Sequence, residues 1–354
     1  MDNQPVIKAA IRNVVSKGIR DIRRDPNRSI RRLVDLGIQF GRGRYQQTFF
    51  TDAQSALKKK QSAYYELVTS LIRNVEPKTL ETLGFNVGYM SWTQGAKTIR
   101  AYEKEHGINV PWTILLDLNS PTPHPLEMSR LVDEGEKMGI YTYFLFVGTQ
   151  TADFDALLSA AEAHGNSAFF LFSADEETNQ ILTRSDALIR NTLLVPRGSQ
   201  AKLPAAGALL SEKKRMFGLN CEYNEVNAEE YLSEAFLQSV VREGYPFLFL
   251  LPAPGCDPAV CAHVYDQIVE IRSRGRYPLF PVELINDVQQ VDHIISNESC
   301  MLVLSSDGSL VYPANTGTEL FGILSLATLI EQAMLIIACS EMPALIKRSG
   351  NSFI

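Results

Sequence analysis

The chain has 354 residues, enough for one large domain or two smaller ones, and its 45% hydrophobic and 21% charged content is ordinary for a soluble globular protein. No apolar run approaches the roughly 20 residues that a membrane-spanning helix needs, and the basic, charge-interrupted residues 1–30 do not match a signal peptide. The five cysteines are an odd, scattered set, which indicates reduced thiols, so we expect a cytoplasmic protein.

The net charge of −6 is unevenly distributed along the chain. Residues 1–60 hold 14 Lys+Arg against 5 Asp+Glu, a balance of +9, so the remaining 294 residues carry −15. This asymmetry predicts a basic helical segment that lies against an acidic body of the same chain or of a second copy. An interfacial helix at a membrane surface is the alternative, and nucleic acid is not expected because no known binding module or aromatic interleaving accompanies the charge.

Residues 1–106 are predicted to be helical throughout. The Asp25-Pro26-Asn27 break separates the first two helices, and Thr51-Asp52 is predicted to open a longer helix that runs to about Asn74. Residues 78–84 resemble a short turn. The glycine-spaced segment 86–96 is interpreted as a docking hinge between layers, because glycine permits close backbone packing.

From Trp112 the pattern changes to apolar runs separated by helical spacing. These strand-like runs begin near residues 112, 141, 167, 191, 217 and 246. Continuous apolar strands alternating with helices predict a parallel sheet buried on both faces, here a partial (β/α) barrel of about six βα units, with a doubly wound open sheet as the competitor. We predict a seventh strand over residues 278–285, which Pro281 would confine to an edge, a β-hairpin over 301–312 and a final helix over 319–338. We expect a helical leader over 1–106, the barrel over 107–290, and the hairpin and helix over 291–354.

A spaced pattern precedes and enters the first strand. Written as GYxSxxxGAxxIRxxExxxGxxxPW, it comprises Gly88-Tyr89, Ser91, Gly95-Ala96, Ile99-Arg100, Glu103, Gly107 and Pro111-Trp112. With further matching segments at 217–221, 282–287 and 307–313, the chain resembles the radical S-adenosylmethionine (SAM) enzymes, in particular a bacterial group with a helical leader before the barrel.

The resemblance implies a four-iron cluster on a CxxxCxxC loop after the first strand and S-adenosylmethionine bound to it. Here that loop contains no cysteine, and the glycine-glycine-glutamate-proline run that follows the second strand in the family keeps one glycine. The degenerate positions are Asn119, Ser120, His124, Gly148 and Thr149. We therefore expect no cluster, no bound S-adenosylmethionine and no metal. No three of the five cysteines have cluster spacing, which also argues against a complete radical enzyme with its cysteines elsewhere.

Other catalytic patterns are weak. The Cx4CxH spacing of Cys256, Cys261 and His263 invites a zinc hypothesis, but Asp257 and Pro258 have the character of a helix start, which would point Cys261 and His263 in different directions. Neither a GxSxG nucleophile elbow nor a P-loop is present.

Polar residues at the carboxyl ends of the strands define the candidate ligand pocket, since that is where a (β/α) barrel carries its site. The rim comprises Asp117, Asn119, Gly148, Ser173, Arg197, Asn220, Glu222, Tyr223, Pro252, Glu283 and Asn286. Asp117, Glu222 and Glu283 could form a carboxylate cluster for acid-base chemistry, or the rim residues could simply be solvated.

The leading hypothesis is a catalytically degenerate radical-SAM-like protein that acts as a binding or regulatory partner, of an active relative or of another protein. The alternative is an enzyme or small-molecule sensor of altered chemistry that uses the rim carboxylates and Arg197. A homo-oligomer and contact with a membrane surface through the basic N-terminus are the further interactions considered.

Overall fold

The computed structural model describes residues 4–40, 44–59, 61–120, 126–151, 153–184, 189–199, 206–296, 300–312 and 325–339. Within these ranges no helix combines the length and the apolarity needed to cross a bilayer. The chain forms a layer of helices followed by a curled parallel sheet with helices outside it.

The described residues of the N-terminal layer form six α-helices and one π-helix. They are α1 (Gln4–Arg24), α2 (Pro26–Phe40), α3 (Arg44–Lys58), α4 (Tyr64–Asn74), α5 (Pro77–Phe85), the π-helix (Asn86–Gly95) and α6 (Ala96–His106). The apolar faces of α1, α2 and α4 meet in a small core around Ile19, Ile22 and Leu67. The leader is therefore helical, as predicted.

Two boundaries in this layer differ from the prediction. Thr51 lies inside α3, and the chain leaves helical geometry before Tyr64, because the Ala63 amide donates to the Gly275 carbonyl (2.9 Å) and the Tyr64 ring packs against Phe280. Both contacts are remote in sequence, so no local signal marks this break. The predicted turn at 78–84 is instead helix α5, which is capped by the Glu76 side chain.

The second part of the chain alternates strands and helices. The strands are β1 (Thr113–Asp117), β2 (Thr142–Val147), β3 (Ala168–Ser173), β4 (Thr192–Val195), β5 (Leu219–Tyr223), β6 (Phe247–Pro252), β7 (Phe280–Glu283), β8 (Leu302–Ser305) and β9 (Leu310–Tyr312). The helices are α7 (Met128–Met138), α8 (Phe154–Ala163), α9 (Glu176–Arg184), α10 (Ala206–Glu212), α11 (Ala228–Leu232), α12 (Glu234–Arg242), α13 (Pro258–Arg274), α14 (Leu284–Ser296) and α15 (Leu326–Cys339). All six predicted strands are present.

The strands form two hydrogen-bonded groups, β4-β3-β2-β1-β8-β9 and β5-β6-β7, joined by parallel bridges from Leu194 to Phe217 and from Arg197 to Asn220. Every pairing is parallel except that of β9. The hairpin is present as predicted, but its first strand pairs in parallel with β1 and extends the sheet, which the local pattern did not show. The β7 strand pairs with β6 alone among the described strands, in agreement with the predicted edge.

The sheet curls into a partial barrel. The Phe249 ring on β6 lies 5.2 Å from the Phe172 ring on β3, although β4 and β5 separate these strands in the sheet order. An open sheet would not bring these rings together. The predicted partial (β/α) barrel is therefore confirmed, and its interior is packed with aromatic rings, including those of Trp112 and Phe144.

The π-helix docks the leader onto the amino-terminal end of the barrel. Gly95 and Gly139 approach so closely that a Cβ on Gly139 would lie 2.6 Å from the Gly95 carbonyl oxygen. Beside them the Ser91 and Thr142 hydroxyls are 2.6 Å apart. Segment 86–96 thus joins two layers through close backbone contact, as its glycine spacing predicted.

Candidate functional site

The register of the parallel strands decides which side chains point into the barrel. Paired residues share a face, and the face alternates along each strand. Because Phe172 and Phe249 meet inside, Arg197 and Asn220 also belong to the interior face, as does Glu222 two residues after Asn220. The same rule places Asp117 inside, since it pairs with Phe146, whose ring lies 5.1 Å from that of Phe172.

The barrel mouth therefore presents two carboxylates and one guanidinium above aromatic rings. Arg197 Nη2 lies 3.4 Å from Glu222 Oε1, and both side chains are 38% exposed. Asp117 is exposed, and its Oδ1 accepts the Asn119 amide (3.2 Å). Phe146 beside Asp117 is half-buried. Charged groups and an apolar surface thus lie at the same edge of the sheet.

Hydrogen bonds to the main chain of Arg197 fix its position at the rim. Its N–H donates to Ser173 Oγ (2.9 Å) and to Asn179 Oδ1 (2.8 Å), while the Asn179 side-chain amide donates to the Arg197 carbonyl (2.8 Å). The Asn220 amide donates to the Ser173 carbonyl (3.1 Å). These bonds fix the main chain of the rim and leave the guanidinium side chain at the mouth.

Gly148 gives room to Asn119. A Cβ on Gly148 would overlap the Asn119 side-chain amide, with its Nδ2 at 2.7 Å, and Asn119 Oδ1 accepts the Gln150 amide (3.3 Å). The glycine after the second strand therefore lets the loops that follow β1 and β2 touch. Ser120 and Thr149 are exposed nearby, whereas His124 lies outside the described residues.

Ser173, Tyr223 and Glu283 face away from the barrel interior. Tyr223 OH donates to Glu283 Oε1 (2.9 Å), and the main-chain and side-chain amides of Asn286 both donate to Glu283 Oε2 (2.7 Å each). Because strand residues alternate in direction, these residues point toward the outer helices although they end their strands. The structure therefore does not bring Glu283 into a carboxylate cluster with Asp117 and Glu222. Pro252, which ends β6, is half-buried.

The Glu283 carboxyl is completely buried. Burial raises the pKa of Glu283 to about 7, against the lowering effect of the Asn286 and Tyr223 hydrogen bonds. Burial, together with this neighbouring carboxylate, also raises the pKa of Tyr223. A carboxyl with such a pKa would suit general acid-base work, but here it has no route to a substrate at the mouth.

Glu283 makes stability depend on pH in a defined window. Since its folded-state pKa of about 7 lies above the unfolded value of 4.5, its contribution is full below pH 4.5 and is lost as pH rises to about 7. The expected loss is roughly 1.4 kcal/mol per pH unit in that window. We predict that urea unfolding of the Glu283→Gln variant shows a shallower decline across it, while equal slopes in both proteins would contradict the assignment.

Two of the three residues of the zinc hypothesis lie on one helix. Cys261 and His263 lie on α13, which Asp257 caps through its side chain, and His263 Nε2 is 2.9 Å from Glu229 Oε1. Over the described ranges, no three His, Cys, Asp or Glu residues are grouped closely enough to hold a metal ion.

Sequence reasoning missed two residues of the site. Asn179 on α9 fixes the Arg197 backbone, and Phe146 forms the apolar surface beside Asp117. Side chains alternate between the two faces of β2, so Phe146 could have been identified once the register of β2 against β1 was known. Nothing in the local pattern of α9 distinguishes Asn179, because its partner lies 18 residues away in the chain.

Comparisons with known proteins give a limited result. No family model matches the sequence, and no curated protein matches it. The structure is similar to native anSMEcpe with bound AdoMet (TM-score 0.33, 12% identity, 56% of this chain and 73% of that chain). It is also similar to hexahistidine-tagged anSMEcpe with bound AdoMet (0.35, 12%, 66% and 78%) and to native anSMEcpe with bound AdoMet and the Cp18Cys peptide (0.34, 13%, 58% and 74%). This likeness is one of fold alone.

One expectation from the sequence needs correction. The loss of the cluster and cofactor residues led us to expect a chain without a cofactor. The similar structures contradict that expectation, because AdoMet (S-adenosylmethionine) is bound in each of them. The missing motif residues represent one way of holding the molecule, so their absence does not show that a chain binds no cofactor. The expectation is withdrawn.

Proposed function

We propose that this chain is a radical-SAM-like binding protein that holds a small molecule at the barrel mouth and acts as a regulatory partner rather than as a catalyst. The observation that carries the proposal is the Arg197–Glu222 ion pair, half-exposed at the mouth on the interior face of the barrel. Such a pair can open to receive a carboxylate on Arg197 and an amine on Glu222.

The apolar part of the ligand would lie on the aromatic surface below. Phe146 is half-buried beside the exposed Asp117, and its ring packs on that of Phe172, which packs in turn on that of Phe249. Flat ring systems stack favourably on aromatic side chains. The favoured ligand class is therefore a zwitterionic metabolite with a planar ring, and S-adenosylmethionine is the first compound to test.

A binding role fits the rim better than a catalytic one. Glu283, whose pKa burial raises to about 7, faces the outer helices and accepts hydrogen bonds on both carboxyl oxygens. The inward carboxylate of Glu222 is paired with Arg197, and that of Asp117 accepts a backbone amide. General acid-base catalysis needs a titrating group within hydrogen-bond reach of the substrate. Since the two mouth carboxylates are already engaged in these contacts, we infer a binding role for them.

Arg197→Ala tests the ligand site. We expect isothermal titration with S-adenosylmethionine to show saturable binding to the native chain and about tenfold weaker binding to the variant, since a charge-assisted hydrogen bond is lost. The matched control is Arg274→Ala, which removes an exposed arginine paired with Glu270 at the end of α13 and should leave the affinity unchanged.

Two outcomes would contradict the proposal. Equal affinities of the native chain and Arg197→Ala, or no saturable binding of S-adenosylmethionine by the native chain, would remove the ligand site. Multiple-turnover conversion of the bound compound would make the chain an enzyme and overturn the regulatory role.

A further inference from the structure

Helix α1 exposes an apolar surface over its first half. Val6 is 70% exposed, Ile7 48% and Val14 43%. Ile7 and Val14 are seven residues apart, so they lie on the same side of the helix, and Val6 lies about a quarter turn around the axis from them. Large apolar side chains of a folded chain are seldom concentrated in this way on one exposed helix.

The second half of α1 carries exposed basic side chains in line with Val6. Lys17, Arg20 and Arg24 follow Val6 at intervals of 11, 14 and 18 residues, which places all three close to Val6 around the helix axis. All three side chains are exposed, and none makes an ion pair with a described residue. Over residues 4–40 the chain carries nine Lys+Arg and three Asp+Glu, a balance of +6.

The opposite side of α1 is occupied by the leader. Ile19 and Ile22 are buried in the core that α1 shares with α2 and α4, the Arg12 guanidinium lies 4.2 Å from the centre of the Phe85 ring, and Arg23 donates to the Ile72 carbonyl (3.2 Å). The helix is therefore fixed in place.

The leader does not neutralise the basic side of α1. Glu81 on α5 interacts electrostatically with Arg20, but its carboxylate is already bonded to Lys78 at 2.7 Å. Among the described residues no larger acidic surface of the same chain covers Lys17, Arg20 and Arg24. This differs from one of the two arrangements that the charge distribution suggested.

We propose that α1 docks this chain on an anionic lipid bilayer. Val6, Ile7 and Val14 would insert at the boundary of the acyl chains, and Lys17, Arg20 and Arg24 would lie along the anionic headgroups. An interfacial helix needs apolar side chains for the acyl boundary and basic side chains for the headgroups; α1 exposes both, and its net charge complements anionic lipid. The acidic surface of a second copy would neutralise the basic half but would leave the apolar half without a matching environment. This inference does not depend on ligand binding, since α1 carries no residue of the barrel mouth.

The test is co-sedimentation of the full chain with vesicles of phosphatidylcholine, with and without phosphatidylglycerol. We expect sedimentation with the anionic vesicles alone, and its loss at high salt, where headgroup attraction is screened. The triple variants Val6→Ser/Ile7→Ser/Val14→Ser and Lys17→Glu/Arg20→Glu/Arg24→Glu should each bind about tenfold or more weakly.

Matched controls distinguish binding through α1 from non-specific binding of the chain to vesicles. Ile181→Ser/Leu209→Ser/Val226→Ser changes exposed apolar residues elsewhere, and Arg242→Glu/Arg274→Glu/Arg276→Glu reverses exposed charges on and beside α12 and α13. Both should bind like the native chain, and circular dichroism verifies that all variants are folded. The proposal is overturned if the native chain does not sediment, or if it binds both vesicle types equally. It is also overturned if light scattering shows a dimer that the α1 variants dissociate, because α1 would then dock on a second copy.

Discussion

Replacing Asp287 with alanine is expected to destabilise the fold by about 3–5 kcal/mol, because it leaves a buried guanidinium without its counter-ion. The Arg272 side chain is 2% exposed, and its Nη1 and Nη2 atoms donate to the two Asp287 oxygens at 2.7 and 2.9 Å. The Asp287 carboxylate offsets burial and raises the pKa of Arg272. Arg272 therefore stays charged in the interior, and the measurement is urea unfolding at neutral pH.

Two further variants show whether the loss comes from the unpaired charge. Glu270→Ala is the control on the same helix. It removes the carboxylate of the exposed Glu270–Arg274 ion pair, and it should lower the free energy of unfolding by no more than ~0.5 kcal/mol. In Arg272→Met/Asp287→Leu both charges are removed, and much of the stability should return. A cost for Asp287→Ala similar to that of Glu270→Ala would show that the pair is not a buried charge pair.

The pair is important because of the elements that it joins. Arg272 lies near the end of α13, the helix after β6, while Asp287 lies in the first turn of α14, the helix after β7. The Tyr64 hydroxyl of the leader donates to the Arg272 carbonyl (2.9 Å), and the guanidinium lies 5.7 Å from the centre of the Phe280 ring. Losing the carboxylate is therefore expected to loosen both the edge of the barrel and its contact with the leader.

Gly95→Ala is expected to destabilise the protein by about 3 kcal/mol, at the upper end of the usual range for overpacking. An alanine Cβ would lie 2.8 Å from the Met90 carbonyl oxygen and closer still to that of Gly139. Both are backbone atoms, so neither can rotate away. Gly139 itself has φ +103°, a backbone conformation that residues other than glycine rarely adopt. The backbone around Gly139 therefore cannot easily move away from a new side chain at position 95.

The matched control for Gly95 is Gly88, seven residues earlier in the same π-helix. A Cβ on Gly88 would meet nothing within 4 Å, so Gly88→Ala should change stability by less than about 1 kcal/mol, with a gain expected from the better helix former. Thermal or urea unfolding of the two variants provides the comparison. Equal effects would show that the contact between Gly95 and Gly139 does not fix the leader on the barrel.

The barrel strands were the most predictable feature of this chain. Their runs, such as Thr142–Val147 and Phe247–Pro252, are continuously apolar because both faces of a parallel strand are buried in a barrel. The docking role of Gly95 was also predictable, since glycine spacing is a local property. The break between α3 and α4 was not, because distant contacts to Gly275 and Phe280 produce it. The domain limits and the ligand role of the rim stay predictions.

The candidate site was predictable in position but not in direction. Glu222 and Tyr223 are neighbours at the end of β5, yet one faces the barrel interior and the other pairs with Glu283 among the outer helices. A shift of one residue in register would exchange their roles. Register depends on pairing with β4 and β6, which are distant in the chain.

The sequence by itself determined the helical leader, the parallel strands and the absence of a CxxxCxxC motif, because composition, periodicity and residue spacing are local and do not depend on tertiary contacts. Only the tertiary structure decided that β8 joins β1, that Arg197 and Glu222 meet at the mouth while Glu283 turns away, and that the basic side of α1 is exposed. Each of these depends on contacts between residues far apart in the chain, and local patterns carry no information about such pairs.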